Sequence, residues 1–173
     1  YEGDSLNWVK LTSGSDEILL VTSAGSSIRF KEKDVRPMGR NASGVTGIKL
    51  SKGDSAVGME VFGKSPEGVE ITSKSQLMVI MESGYGKRTA ISAFKTQKRA
   101  GKGIKAAQVT SKTGKIVSAK IVDPEQKELI VISRKGQIIR TELKSVSVLG
   151  RATQGVRVMK MDSGDSVASV VVV

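Results

Sequence analysis

Lysine and arginine are the residues through which this sequence could do chemistry. The 173-residue chain has 28 Lys and Arg against 17 Asp and Glu, a formal net charge of +11, and no histidine or cysteine. The missing residue types exclude Ser-His-Asp and Cys-His catalysis, disulfides and Cys/His zinc sites. A basic surface instead attracts polyanions: nucleic acid first, then acidic membranes or acidic protein tails.

The positive charge is concentrated in one part of the chain. Residues 84–160 carry 18 Lys and Arg with four acids, whereas residues 1–83 carry 10 with 11 acids. A high pI alone can also serve solubility, so the charge by itself does not prove a ligand. No apolar run reaches the length of about 18 residues that a membrane span needs, and we expect no membrane association.

A repeat sets the spacing of these cations. Three glycines each follow a short apolar run and precede an arginine by four residues; the pairs are Gly25–Arg29, Gly84–Arg88 and Gly136–Arg140. Fifteen residues after each glycine an Arg-x-x-x-Gly motif begins, at Arg40, Arg99 and Arg151. Further turns mark the same period, with Gly-Asp-Ser at residues 3, 53 and 164 and Thr-Gly-Lys at residue 113. A period of this length favours stacked β-blades.

Each repeat predicts four strands, and the fold class is therefore all-β and propeller-like. The first strands are predicted at residues 18–22, 77–81 and 129–133, and the last strands at 56–61, 116–122 and 167–172. The whole chain is expected to be one β-repeat domain. Residues 1–14, with a strand at 6–11, would be the last strand of a preceding blade, and three blades would follow at 15–62, 63–122 and 123–173. Three blades make a partial ring.

Three segments carry a resemblance to a known family. The segment 35–50 (VRPMGRNASGVTGIKL), the segment 84–89 (GYGKRT) and the segment 151–156 (RATQGV) resemble, in this order, parts of the C-terminal DNA-wrapping domain of bacterial DNA gyrase A. The corresponding protein of topoisomerase IV is a close relative of that family. The resemblance implies a β-pinwheel, in which neighbouring blades exchange strands and duplex DNA wraps around a basic rim.

The resemblance also implies the setting of the domain. It would be a non-catalytic part of an ATP-dependent type II topoisomerase that supports negative supercoiling in the bacterial cytoplasm. Its partners would be double-stranded DNA, the remainder of gyrase A and gyrase B, and it would need no cofactor or metal. Family domains have five or six blades, so three blades suggest the C-terminal half of one. The stretch Gln97–Gly103 departs from the family's signature heptapeptide QRRGGKG at Lys98 and Ala100.

The candidate DNA-binding residues are the basic residues of the turns and loops that recur with the repeat. They are Arg29, Arg36 and Arg40 in the first blade, Lys87, Arg88, Lys95, Lys98, Arg99, Lys102 and Lys105 in the second, and Arg134, Lys135, Arg140, Lys144, Arg151 and Arg157 in the third. Such residues would contact phosphates without reading bases, because no recognition helix is predicted. For Arg40, Arg99 and Arg151 a structural role, donating to a carbonyl of an adjacent blade, is an equal alternative.

Other functions are also compatible with the sequence. The domain could recognise DNA crossings, as in topoisomerase IV, or bind an acidic protein partner as a propeller. A phosphate-loop interpretation of Gly84–Thr89 fails, because Met81 and Arg88 occupy the positions that require Gly and Ser or Thr. An open arc of three blades would expose strand edges, which predicts self-association or strand exchange between copies.

Overall fold

The computed structural model describes residues 3–63, 72, 74–123 and 125–173. These residues form eleven β-strands and three short 3₁₀ turns. The strands are β1 Glu17–Thr22, β2 Ser26–Lys31, β3 Ala56–Phe62, β4 Gln76–Met81, β5 Tyr85–Ala90, β6 Ile104–Lys105, β7 Ile116–Val122, β8 Glu128–Ser133, β9 Ile138–Glu142, β10 Val156–Arg157 and β11 Val167–Val172. The 3₁₀ turns are Glu32–Asp34, Ile91–Ala93 and Leu143–Ser145, and none of these helical segments has the length or the apolar character to span a membrane.

The strands form three antiparallel sheets in the described part of the chain. The first has the order β3-β1-β2-β6, the second β10-β5-β4-β7, and the third β11-β8-β9. The all-β, propeller-like fold predicted from the repeat is thereby confirmed. The predicted first and last strands of the three repeats also correspond closely to β1, β4 and β8 and to β3, β7 and β11.

Each of the two short strands β6 and β10 belongs to one repeat in sequence and to the preceding repeat in space. In β6, Ile104 pairs with Ser27 and Lys105 with Ser26, at the edge of the first sheet. In β10, Val156 pairs with Gly86 and Arg157 with Tyr85, at the edge of the second sheet. Consecutive sheets are therefore connected by exchanged strands as well as by side-chain packing.

The core lies between the sheets. Because side chains alternate across a strand, β4 sends Leu77 and Val79 into the cluster shared with the first sheet, and Met78 and Ile80 into the cluster shared with the third. All four side chains are at most 1 % exposed. The near-continuous apolar sequence of β4 thus follows from its place in the middle sheet, which is covered on both faces.

Two turn glycines are required by the strand exchange. Gly25 and Gly84 have φ values of +93° and +78°, which favour glycine. A Cβ on Gly25 would lie 2.6 Å from the carbonyl oxygen of Ala107, and one on Gly84 would lie 2.2 Å from that of Met159. The exchanged segment packs directly on these turns, so a side chain there would push it away.

The prediction of a strand at residues 6–11 was wrong. The structure assigns no strand in this segment, and Leu6 and Val9 are 84 % and 74 % exposed. Likewise, the third strand predicted after the Arg-x-x-x-Gly motif of the first repeat does not form at Val45–Thr46. The physical reason is the same in both cases: an extended segment becomes a strand only beside another strand, and the three sheets of the described residues include neither segment.

Candidate nucleic-acid interface

The loops that contain the Arg-x-x-x-Gly motifs are bonded to one another from repeat to repeat. The amide of Lys49 donates to the carbonyl of Gly101 at 2.9 Å, and the amide of Gln108 donates to that of Thr153 at 3.0 Å. Lys49 and Gln108 occupy the same place in successive repeats, as do Gly101 and Thr153. The basic loops of the three repeats therefore lie side by side, as the repeat spacing predicts for a cationic track.

The recurring arginine of this motif connects adjacent loops. The Nη1 atom of Arg99 donates to the carbonyl of Thr46, and that of Arg151 donates to the carbonyl of Lys105 at 3.2 Å. Thr46 and Lys105 are again equivalent positions. Arg99 also donates through Nε to the carbonyl of Asp34 at 3.2 Å. Both arginines thus have the structural role that the sequence leaves open for them, in which the side chain donates to a carbonyl of an adjacent repeat. Arg40, by contrast, is exposed on the first loop.

The arginines four residues after the turn glycines have partners within the protein. Arg29 donates through Nε to Glu17 at 2.6 Å, and Arg140 donates through Nε to Glu128 at 2.9 Å. The equivalent Arg88 instead donates through Nε to the carbonyl of Val146 at 2.7 Å. The acids offset the charge of Arg29 and Arg140, so these two residues add less to a cationic surface than the sequence suggests.

Lys87 is a structural residue, and its predicted contact with phosphate was wrong. Its side chain is 0 % exposed. The ammonium donates to the carbonyls of Gly150 at 2.7 Å and Arg151 at 2.6 Å and to the Thr153 hydroxyl at 3.2 Å. Burial, together with the nearby charge of Arg151, lowers the pKa of Lys87 to about 8. With its three donors engaged inside the protein, this ammonium is closed to DNA.

The misassignment of Lys87 has an identifiable sequence signal. Three residues after the turn glycine, the other two repeats have Ile28 and Ile139. An apolar residue at the same place in two repeats indicates a position that faces the core. Repeat equivalence, read position by position, would therefore have separated Lys87 from the surface cations.

Seven of the predicted site residues lie exposed on or beside the stacked loops. They are Arg36 and Arg40 in the first repeat, Lys95, Lys98, Lys102 and Lys105 in the second, and Arg157 in the third. Of the remaining predicted residues, Lys144 pairs with Glu142 at 3.1 Å between Nζ and Oε2. Arg134 and Lys135 are exposed at the β8–β9 turn, where Lys135 donates to the carbonyl of Ser163 at 2.8 Å.

Sequence reasoning missed three lysines near this surface. Lys49 and Lys160 are exposed at equivalent places in the first and third loops, and repeat equivalence could have found them. Lys112 places its Nζ 5.3 Å from the centroid of the Tyr85 ring, and Arg157 places its Cζ 5.7 Å from the same centroid. The hydroxyl of Tyr85 accepts a hydrogen bond from Arg157 at 3.2 Å, and this bond is the main cause that lowers the pKa of Tyr85. No signal in the sequence connects Lys112 to Tyr85.

The fold and the surface together define a class of protein: a β-propeller-like repeat module whose blades exchange strands and present basic loops side by side. A family model described as "DNA gyrase C-terminal domain, beta-propeller" matches residues 16–62, 76–123 and 127–173. The chain belongs to this family of DNA gyrase C-terminal domains.

The comparisons with individual proteins agree. The chain is 43% identical over 169 residues to the DNA gyrase A protein of Staphylococcus epidermidis, and 40% identical over the same length to the DNA gyrase A protein of Staphylococcus aureus. In each case the match covers 98% of this chain and 18% of the relative. The chain thus spans less than a fifth of the length of these relatives.

Solved structures show the same fold. A DNA gyrase A C-terminal domain superposes with a TM-score of 0.75 and 30% identity, over 90% of this chain and 50% of the other. A topoisomerase IV C-terminal domain gives a TM-score of 0.81 at 22% identity, over 95% of this chain and 48% of the other. The second likeness concerns the fold alone.

Proposed function

We propose that the chain is a module that binds duplex DNA without base-specific contacts and bends it along the stacked basic loops. The observation that carries this proposal is the register of the loops. Backbone hydrogen bonds from Lys49 to Gly101 and from Gln108 to Thr153 keep successive loops adjacent, and exposed lysines and arginines recur on each of them. Membership in the DNA gyrase C-terminal domain family supports the same function.

The physical basis is the charge density of DNA. A duplex carries one negative charge per roughly 1.7 Å of its axis, and each neutralised phosphate releases condensed counterions. A row of cations at fixed spacing can neutralise successive phosphates along the duplex, and a single pocket cannot. The described residues contain no α-helix that could enter the major groove, so contacts would go to the phosphate backbone and not to base edges.

Bending is energetically feasible on such a surface. Curving a 20–30 bp site by 40–90° costs on the order of 1–6 kcal/mol. Six to ten phosphate contacts can offset this cost at low salt, and they weaken about 10³–10⁵-fold between 50 and 200 mM salt. We therefore expect strong salt dependence and a preference for flexible sequence.

The setting proposed for this module follows from its relatives. We infer that it acts as a non-catalytic part of DNA gyrase A, together with the remainder of that protein and with gyrase B, and that it supports negative supercoiling in the cytoplasm. We also propose that the chain consists of blades at residues 15–62, 63–122 and 123–173.

The test is the affinity for linear duplexes as a function of salt, measured by mobility shift or fluorescence anisotropy. We expect a log–log slope of several units for the unaltered chain. The double variant Lys98→Ala/Lys102→Ala should lower that slope by about two, since each lysine lost from a phosphate contact removes about one. The matched control Lys120→Ala/Lys127→Ala removes the same charge from exposed positions outside the loops and should leave the slope nearly unchanged. Equal slopes for the two double variants would contradict the proposed surface.

A further inference from the structure

Two cations converge on one tyrosine ring where the third repeat pairs with the second sheet. Arg157 of β10 is the strand partner of Tyr85 of β5. The Cζ atom of Arg157 lies 5.7 Å from the centroid of the Tyr85 ring, and the Nζ atom of Lys112 lies 5.3 Å from it. Both distances are within the limit of about 6 Å for a cation–π contact. Both cations are exposed and the ring is 9 % exposed, so the ring is a buried support for two charges that face the solvent.

Neither cation forms a salt bridge with a residue that the structure describes. The salt bridges found among these residues are Arg29 with Glu17, Arg140 with Glu128, and Lys144 with Glu142. The positive charge also acts on the phenol: the pKa of Tyr85 is lowered first by its hydrogen bond from Arg157, and further by the charges of Arg157 and Lys112. Like charges placed this close repel one another, and an anion bound beside them offsets that repulsion.

Backbone hydrogen bonds fix these side chains relative to one another. The amide of Val158 donates to the carbonyl of Gly84 at 2.8 Å, which holds β10 against the turn beside the tyrosine. Lys112 lies in a turn in which the amide of Gly114 donates to the carbonyl of Thr110 at 3.0 Å. Groups that are positioned before a ligand arrives lose less conformational freedom on binding. The cluster therefore has the character of a built site.

We propose that Tyr85, Lys112 and Arg157 form a phosphate clamp for duplex DNA at the junction of the second and third repeats. This inference rests on the proposed function and names a site of fixed geometry for it. Lys112 and Arg157 donate charge-assisted hydrogen bonds to oxygens of the DNA backbone. The hydroxyl of Tyr85 accepts from Arg157 at 3.2 Å, so its own proton is left to donate to a phosphate oxygen. Tyr85 thus orients Arg157 and supplies a third donor.

The first sheet receives an exchanged strand in the same way but lacks this combination. Ser26 has the place of Tyr85, and it pairs with Lys105, the equivalent of Arg157. The cation is retained there without a ring beneath it. The phosphate clamp is therefore specific to the second of these two junctions, and the spacing of the repeat could not predict it.

The affinity for linear duplexes as a function of salt tests the three groups separately. Lys112→Gln should lower the log–log slope by about one, whereas the matched control Lys120→Gln removes the same charge from an exposed position on β7 and should leave the slope nearly unchanged. Tyr85→Phe retains the ring and both charges, so the affinity should fall about 2–12-fold at every salt concentration with the slope unchanged. The double variant Tyr85→Phe/Lys112→Gln should lose less affinity than the product of the two single losses, because the groups act on one phosphate.

A resonance of Tyr85 tests the contact itself. The chain has two tyrosines, Tyr1 and Tyr85, so in the Tyr1→Phe background an NMR-active carbon at the tyrosine Cζ reports Tyr85 alone. A linear duplex should shift this resonance at neutral pH, and the shift should be much smaller in Lys112→Gln. Inorganic phosphate in excess, at the same ionic strength, should leave the resonance in place, because a free phosphate is not held by contacts to the neighbouring loops.

The phosphate clamp and the proposed function can fail separately. If Lys98→Ala/Lys102→Ala lowers the slope but Lys112→Gln does not, or if Tyr85→Phe binds as tightly as the unaltered chain, the clamp is overturned and the DNA-binding surface is retained. A resonance that responds equally to the duplex and to inorganic phosphate would indicate a general anion site and would also overturn the clamp. If the unaltered chain shows no salt-dependent affinity for the duplex, both the clamp and the proposed function are overturned.

Discussion

The ammonium of Lys87 lies 2.6 Å from the carbonyl oxygen of Arg151, across the junction between the second and third sheets. A second carbonyl, that of Gly150, and the hydroxyl of Thr153 complete its donor contacts. In the same loop segment, the guanidinium of Arg151 donates to the carbonyl of Lys105. Lys87 therefore holds in place a loop that the proposed DNA surface requires, although it is itself removed from that surface.

Lys87→Met should destabilise the fold. The substitution removes a buried donor and leaves the carbonyls of Gly150 and Arg151 without it, which costs about 1–3 kcal/mol. Urea denaturation should therefore show a lower free energy of unfolding. DNA affinity, measured under conditions where the variant is fully folded, should fall far less than in Lys98→Ala/Lys102→Ala. A variant as stable as the unaltered chain would show that these hydrogen bonds contribute nothing net.

Lys87 also predicts a pH dependence of stability. Its pKa is lowered to about 8 in the folded state from a usual value of 10.5, so between these values the unfolded chain binds the extra proton. Stability must then rise with pH across this window, with a slope from this group of at most about 1.4 kcal/mol per pH unit. Below pH 8 the cost of burying the charge is present in full.

The difference between the unaltered chain and Lys87→Met isolates this effect, since all other groups titrate in both proteins. Denaturation curves at several pH values from 7 to 10.5 should show the difference in unfolding free energy changing with pH. A difference that stays constant would mean that the pKa of Lys87 is the same in the folded and the unfolded chain.

Arg99 and Arg40 should respond differently to the same substitution. Arg99→Ala removes the hydrogen bonds to the carbonyls of Asp34 and Thr46, each of which contributes about 0.5–1.5 kcal/mol. Arg40→Ala changes the equivalent residue of the first repeat, which is exposed, and should alter thermal stability much less. Calorimetry of both variants compares the thermal stability lost at a connecting arginine with that lost at a surface arginine. Equal losses of stability would argue against the connecting role of Arg99.

A side chain at these turns has two effects, backbone strain and a clash with the exchanged segment. Comparing Gly84→Ala with Gly136→Ala separates them. Both glycines have positive φ, +78° and +87°, so either substitution adds about 1–2 kcal/mol of backbone strain. At Gly84 the new Cβ also meets the carbonyl of Met159 at 2.2 Å, whereas at Gly136 nothing lies within 4 Å. Gly84→Ala should therefore be the more destabilising by calorimetry. Similar melting temperatures would mean that the exchanged segment moves aside without cost.

Much of the fold could be predicted because its signals are local. Short apolar runs that end three residues before Gly25, Gly84 and Gly136 predicted the three hairpins, and the structure has β1–β2, β4–β5 and β8–β9 at these places. Turn glycines with positive φ and runs of β-branched residues act within a few residues. The segment 6–11 has the same local pattern, but it forms no strand because pairing is decided by distant parts of the chain.

The sequence predicted where the candidate surface lies better than it predicted which residues belong to it. The period placed the basic loops side by side, and the backbone bonds from Lys49 and Gln108 confirm that arrangement. The roles of individual cations depend on what lies across the junction between sheets. Arg99 meets the carbonyl of Thr46, and Lys112 meets the ring of Tyr85, at separations in sequence over which no spacing rule operates.

By itself the sequence determined the repeat, the all-β class and the cationic character of the chain, because periodicity and net charge are properties of residue order and composition. Only the tertiary structure decided which sheet β6 and β10 join, and that Lys87 is a buried connector while Lys98 and Lys102 face the solvent. The physical reason is that burial and hydrogen bonding depend on the neighbour supplied by the next repeat. A lysine with three carbonyl and hydroxyl oxygens within reach is stable inside the protein, and the same residue type without them remains at the surface.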